Sequence, residues 1–147
     1  PWDSLSMPEA MKRTGRQLTE LDFNEPTQLY RDLKSLHPLL DYWSPIGRTM
    51  IVNSGAGGWF PPHKDQPYLT RNTFRVAAFV SNNVTHDAFE WQMDGRIWPI
   101  KAGGVYYIDT RKTHRTHSWK DNSMHLILNI PKTWENVMKL MSATLNY

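Results

Sequence analysis

The sequence predicts a mainly β fold, a sandwich or barrel of short strands with flanking helices. Three observations carry this. Runs with alternating or β-branched character recur at short spacing from residue 48 to residue 130, separated by turn-forming stretches. Only two segments show helical periodicity, one before that region and one after it. Ten prolines and seven tryptophans in 147 residues suit a fold of many corners better than a helix bundle. That length gives one domain with a real core.

Residues 1 to about 24 read as irregular, with Trp2, Met7 and Met11 as core plugs. "NEPTQLYRDLKSLHPLL" reads as a helix: Pro26 lies near its first turn, Leu29, Leu33 and Leu36 share a face, and Pro38 stands beyond its end. "RTMIVN" (48–53) alternates and is β-branched, hence a strand. "SGAGGWFPP" reads as a turn. "TFRVAAFVSNN" (73–83) is the most apolar strand candidate. "FEWQMDGRIWPI" reads as a hairpin turning at Asp94-Gly95. "GGVYYIDT" (103–110) and "SMHLILNI" (123–130) are further strands. "KTWENVMKLMSATL" is a closing helix with Thr133 as its N-cap. The expected organisation is a single domain, with helical or irregular support over 1–42, a strand-rich core over 43–131 and a C-terminal helix over 132–147. The helices are expected to brace one sheet.

Several function classes are excluded or disfavoured. The chain has no cysteine, so it has neither a disulfide framework nor a thiolate metal site. No apolar run is long enough for a membrane span, and no secretory leader is visible, which together point to a cytoplasmic protein that uses no membrane. The chain opens on Pro rather than Met, as a trimmed chain would. Net charge is +3, with the 17 basic residues spread along the chain rather than in a block, so a nucleic-acid partner is not indicated.

The chemistry concentrates around "GGWFPPHKDQPY" (57–68). His63 and Asp65 are two positions apart, and in extended chain such residues point to one side. An imidazole and a carboxylate aimed at one point suit a divalent first-row ion. Adding a second histidine gives the ligand set of non-haem Fe(II) oxygenases, with open positions opposite. The candidates are His86, His114, His117 and His125; His37 reads as helix-end packing or surface. Arg75 sits in an otherwise apolar strand between Phe74 and Val76, and a buried Arg needs an anionic partner. Trp59, Trp91, Trp98 and Trp119 read as core or rim packing.

"RTMIVNSGAGGWFPPHKDQPY", "TFRVAAFVSNN" and "AGGVYYIDTRKTHRTHSWKDNSMHLILNI" together resemble the aspartyl/asparaginyl β-hydroxylase-like group of 2-oxoglutarate oxygenases, in particular bacterial proline cis-hydroxylases and their phage-type relatives. The resemblance runs from about residue 43 to 131. It implies a double-stranded β-helix, the jelly-roll of cupin-like proteins, with an HxD…H iron site. His63 and Asp65 fall on the HxD, Asp109 on the aspartate that ends the aromatic strand, and His114 on the distal ligand, with His117 as the alternative. Trp119 and His125-Leu126 fall on a family aromatic and on its late His-Leu pair. The implied activity is that of an Fe(II)- and 2-oxoglutarate-dependent dioxygenase hydroxylating an amino acid or a peptidyl residue, in the cytoplasm of a bacterial or phage-infected cell.

One position departs from the pattern. The family arginine that holds the far carboxylate of 2-oxoglutarate falls on Ser123. An arginine fork matches a carboxylate in shape and charge; a serine matches neither. The expectation is that Arg75 supplies the charge, with Ser123 and His125 adding hydrogen bonds; Arg111 and Arg115 are other arginines able to reach in. The competing reading is a metal- or ligand-binding barrel without redox activity. A nucleic-acid dealkylating oxygenase is disfavoured, because "HLILNIPKTW" lacks the arginine-rich ending of those enzymes. The sequence leaves the oligomeric state open.

Overall fold

The computed structural model describes residues 5–43, 45–81 and 87–145. Among the described residues, eight strands form the body: β1 (Thr49–Ser54), β2 (Trp59–His63), β3 (Thr73–Phe79), β4 (Phe89–Met93), β5 (Arg96–Ile97), β6 (Val105–Ile108), β7 (His114–Ser118) and β8 (Ser123–Pro131). They make two four-stranded sheets, ordered β1-β8-β3-β6 and β2-β7-β4-β5, and each pairing is antiparallel. This is the strand order of the double-stranded β-helix, with the first strand paired to the last.

The inner faces of the two sheets meet in one core. Ala77, Phe79, Ile108 and Ile127 from one sheet pack against Phe89, Trp91 and Met93 from the other. The opposite face of the first sheet presents Phe74, Val76, Ala78, Leu126, Leu128 and Ile130. It is covered by Leu40 of α3 (His37–Tyr42), by Trp43, and by Val137 and Leu140 of α5 (Trp134–Leu145). With both faces covered, β3 and β8 are apolar at most positions rather than alternating. Each such Leu, Ile or Phe contributes about 1.5–3 kcal/mol of burial. The helices thus brace one sheet, as expected, and the outer face of β2-β7-β4-β5 carries Glu90, Gln92, Arg115 and His117 beside the exposed Trp59 and Ile97. Among the described residues, no helix is long and apolar enough to cross a membrane.

The β4–β5 hairpin turns where the sequence predicts. Asp94 (φ 47°) and Gly95 (φ 76°) both take the left-handed conformation that its two-residue turn requires. Thr133 caps α5, accepting from the Asn136 N–H at 3.2 Å.

Five elements differ from expectation. The single helix predicted from Pro26 onward is broken. α2 (Gln28–Asp32), capped by Thr27, ends at Leu33; a 3-10 turn (Lys34–Leu36) follows, then α3. Pro38 opens α3 instead of standing beyond a helix end, because its missing N–H costs nothing in a first turn. The N-terminal region is not irregular. It holds α1 (Met7–Thr14), whose Ser6 and Glu9 cap one another, with Gly15 (φ 69°) closing the other end. Met7 packs with Ala10 and Leu18, and Met11 sits against them; Trp2 lies outside the described residues. The turn expected over "SGAGGWFPP" gives way at Trp59 to β2. Pro61 and Pro62 are tolerated because β2 is an edge strand, with a break of register between Phe60 and His63. Finally, β7 was not expected as a strand at all. The strand predicted over 73–83 ends at Phe79, and Asn82 and Asn83 lie outside the described residues.

The N-terminal region is pinned to the barrel just before β1. The Arg48 N–H donates to the Glu20 carbonyl at 2.7 Å, and the Gly47 N–H to the Asn129 carbonyl at 2.8 Å. A Cβ on Gly47 would lie 2.5 Å from the Glu20 carbonyl oxygen and 3.1 Å from that of Asn129. Gly47→Ala is therefore expected to cost about 1–3 kcal/mol, the range for forced overpacking, as a lower urea midpoint with an unchanged slope.

Candidate metal centre

His63 closes β2 and His114 opens β7, and the two residues are directly paired across the strands. Cross-strand partners share a face, and their ring centroids are 4.2 Å apart. Asp65 follows β2 by two residues. Its backbone N–H donates to the Thr110 carbonyl at 3.0 Å, which fastens this loop to the one leading into β7. Asp65 Oδ1 lies 3.6 Å from His63 Nε2. One ligand atom from each of His63, Asp65 and His114 falls within 4.8 Å of the others, so these three could hold a metal ion.

Hydrogen bonds set which atoms are free. His63 Nδ1 is 2.8 Å from the Pro61 carbonyl, and His114 Nδ1 is 3.0 Å from the Lys112 carbonyl. A carbonyl only accepts, so each Nδ1 carries the proton and each Nε2 keeps its lone pair. Asp65 Oδ2 accepts from Arg75 Nη1 at 2.6 Å, leaving Oδ1 towards His63. The residues thus fit a small divalent ion: two imidazole nitrogens and one carboxylate oxygen, each oriented by a hydrogen bond on its far side. Burial keeps the His114 pKa below its ordinary value, which favours the neutral ring that a metal needs. The Trp91 indole stacks nearly parallel to that ring, at 6.3 Å and 12°.

Arg75 has the anionic partners a buried arginine requires, and it also lines a small cavity together with Thr73, Asp109, Arg111, Asn129 and Lys132. Nη1 binds Asp65, Nη2 binds Glu20 Oε1 at 3.3 Å, and Nε binds Asn129 Oδ1 at 3.1 Å. Glu20 and Asn129 are buried participants that sequence reasoning missed. They lie 55 and 54 residues from Arg75, in a short 3-10 turn and in an otherwise apolar strand, and no local pattern marks them.

The structure does not assemble the expected 2-oxoglutarate anchor. In the β3–β8 register, Arg75 is opposite Asn129 and Phe79 is opposite His125. Ser123 is therefore six residues along β8 from Arg75, about 20 Å at strand rise, and His125 about 13 Å. Ser123 accepts from Ser118 Oγ at 2.9 Å in a fully buried position. Arg111 grips Asp109 at 2.7 and 2.9 Å and holds that carboxyl below its usual range. Arg115 points to the outer face, bound to Gln92 and Glu90, each at 2.7 Å. His117 is also on the outer face, opposite Glu90 and edge-on to Trp119 at 4.4 Å. His37 packs locally, stacked on Tyr30. His86 lies outside the described residues. Trp91 is buried in the core and Trp98 packs against it, whereas Trp59 and Trp119 are exposed.

His125 lies deeper in the barrel, ringed by Phe79, Phe89 and Trp91 at 5.5–5.7 Å between centroids. Its Nδ1 is buried without a hydrogen-bond partner, and burial pushes its pKa down to about 4. Between that value and the ordinary 6.5, the unfolded chain binds a proton that the folded one refuses. Stability is therefore full above about pH 6.5 and falls by about 3 kcal/mol as the pH drops to 4. Urea titrations across this range should show the loss, and His125→Phe should flatten it.

No protein-family model matches the chain, and no curated protein does. Similar solved structures include a predicted oxalate decarboxylase from Thermotoga maritima, with 16% identity and a TM-score of 0.45 over 65% of this chain and 73% of that one. KdgF from Halomonas sp. is similar at 18% identity and a TM-score of 0.44, over 58% and 69% of the two chains. An RmlC-like cupin from Shewanella frigidimarina is similar at 14% identity and a TM-score of 0.42, over 59% and 68%. The strand order described above is that of the cupin-like jelly roll, and the narrower hydroxylase resemblance rests on the sequence motifs alone.

Proposed function

We propose that this chain is a mononuclear non-haem Fe(II) dioxygenase that uses 2-oxoglutarate and hydroxylates an amino acid or a peptidyl residue. The observation that carries the reading is the convergence of His63 Nε2, His114 Nε2 and Asp65 Oδ1, with every other polar atom of those side chains engaged by protein or turned away. Two imidazoles and one carboxylate on one side of an ion leave the positions opposite for co-substrate and oxygen. Iron in such a site supplies oxidative decarboxylation of 2-oxoglutarate to succinate and CO2, one atom of O2 entering succinate and the other the substrate C–H bond.

The protein's own part is orientation and exclusion of water. The Pro61 and Lys112 carbonyls fix the imidazole tautomers, and Arg75 fixes the carboxylate. Trp91 and Met93 close the inner side with apolar surface. On the outer side His63 is half-buried, and Phe60, exposed, meets it edge-on at 4.8 Å. That ring offers an apolar rim to an incoming side chain.

The test is anaerobic addition of Fe(II) and 2-oxoglutarate, watching for the visible charge-transfer band of an iron–2-oxo acid chelate. Air is then admitted with single amino acids present, and succinate is measured. Band and succinate together support the proposal. Metal binding without the band favours a second reading, a metal-binding barrel without redox chemistry. That reading draws on the serine at position 123 and on the engagement of Arg75 by Asp65, Glu20 and Asn129.

A further inference from the structure

We propose that Glu20 and Arg75 are positioning residues of the metal centre: Glu20 sets the Arg75 guanidinium, and Arg75 occupies Asp65 Oδ2 so that Asp65 meets a metal through Oδ1 alone. This rests on the metal-binding part of the reading above and not on the oxygenase chemistry.

The chain of contacts is short and buried. Glu20 Oε1 is 3.3 Å from Arg75 Nη2, and Arg75 Nη1 is 2.6 Å from Asp65 Oδ2; the side chains are 4%, 13% and 15% exposed in that order. A guanidinium is planar, so fixing two of its nitrogens fixes the direction of the third. Asn129 holds Nε and Glu20 holds Nη2, which leaves Nη1 aimed at Asp65. Asn129 is itself fastened, its Nδ2 donating to the Arg48 carbonyl at 2.8 Å.

Glu20 is held by its backbone as well. Its carbonyl accepts from the Arg48 N–H, and Gly47 allows the close approach. Burying a carboxylate costs several kcal/mol unless it is compensated, and Glu20 Oε2 is buried with no hydrogen-bond partner. An apolar side chain there would avoid that cost. What Glu20 provides instead is an acceptor for Nη2.

Asp65 would offer two oxygens to a small ion, and a free carboxylate can bind through one or both. With Oδ2 occupied by Arg75, one-oxygen binding is enforced and a coordination position stays open for an exogenous ligand. The N-terminal region therefore belongs to the centre, although it supplies no ligand.

The experiment uses the full chain loaded with Mn(II) or Zn(II), as wild type and as Glu20→Gln, Glu20→Leu and Arg75→Met. Metal-minus-apo infrared difference spectra report the splitting between the two carboxylate stretches, wide for one-oxygen and narrow for two-oxygen binding. Chelator competition gives the affinity. The wild type and Glu20→Gln should show the wide splitting, because the Gln amide oxygen still accepts from Nη2. Glu20→Leu and Arg75→Met should show the narrow one. Arg75→Met should also weaken binding about 10–100-fold, the range for lost hydrogen-bond partners of metal ligands; Glu20→Leu should weaken it in the same direction, and more than Glu20→Gln. Equal weakening by Gln and Leu with unchanged splitting would show that Glu20 acts by charge alone, and would overturn the proposal. Unchanged splitting in every variant overturns it as well, while leaving the metal reading intact. A wild type that binds no metal removes both. If Arg75→Met does not fold, the Glu20 pair decides the question.

Discussion

His63→Ala is expected to abolish metal-dependent succinate formation and to weaken metal binding more than about 100-fold, beyond the range for a ligand's hydrogen-bond partners alone. The apo protein should lose only about 1 kcal/mol or less, because His63 is half-exposed at the end of an edge strand and contributes little to the core. Calorimetric titration with Mn(II) and urea denaturation separate the two effects. His117→Ala is the control. It lies on the opposite face of the barrel wall and should leave metal affinity and turnover unchanged. Succinate formation surviving in His63→Ala would remove the proposed mechanism, and loss of metal binding in His117→Ala would reverse the choice of distal ligand.

Arg75→Met is expected to destabilise the fold itself, by about 3–5 kcal/mol at neutral pH, the usual cost of stripping one partner from a buried ion cluster. Two carboxylates, Glu20 and Asp65, lose their cation at once. Burial already raises the Glu20 pKa, and the Arg75 charge opposes that rise. Without the guanidinium the folded-state pKa climbs further. The folded chain then holds a proton that the unfolded chain releases above about pH 4.5. Stability of the variant should therefore fall as the pH rises from that value towards neutrality, and the deficit against wild type should be smallest in mild acid. Urea midpoints at pH 5 and pH 7.5 test the sign. An arginine waiting for a co-substrate would show neither the large cost nor this pH dependence.

Which parts of the molecule were legible in the sequence follows from where its hydrophobic residues fall. β1, β3, β4, β5, β6, β8 and α5 carry apolar alternation, apolar runs or clear turn and capping signals, and each was read near its observed position. β7 was not. Its inward residues are His114, Thr116 and Ser118, so a candidate metal ligand and polar packing replace the apolar period that would have revealed a strand. β2 was hidden by two prolines that only an edge position permits. α1 did carry its own signature, Ser6 and Glu9 around Pro8, which an overall impression of irregularity obscured. At the centre, the spacing of His63 and Asp65 is local and could be read. The choice between His114 and His117 turns on which face of an unseen strand each occupies. Glu20 and Asn129 reach Arg75 only through the closed barrel. The same contacts engage Arg75, expected to hold a co-substrate, with Asp65, Glu20 and Asn129.

The pairing of the first strand with the last governs how this molecule comes into being. Thr49 of β1 sits opposite Leu128 of β8, and His63 opposite His114. Apart from the β4–β5 hairpin, no strand among the described residues finds its partner nearby in the chain, so loop closure must be met before contacts reward it. Assembly belongs to the slow, milliseconds-to-seconds class. On a ribosome, neither sheet can close until β7 and β8 have emerged. A metal ion could not template the early chain either, because the three candidate ligands meet only when β2 and β7 are already paired. A metal held there as proposed would therefore act on the finished barrel, adding to stability by mass action and slowing its opening rather than hastening its formation.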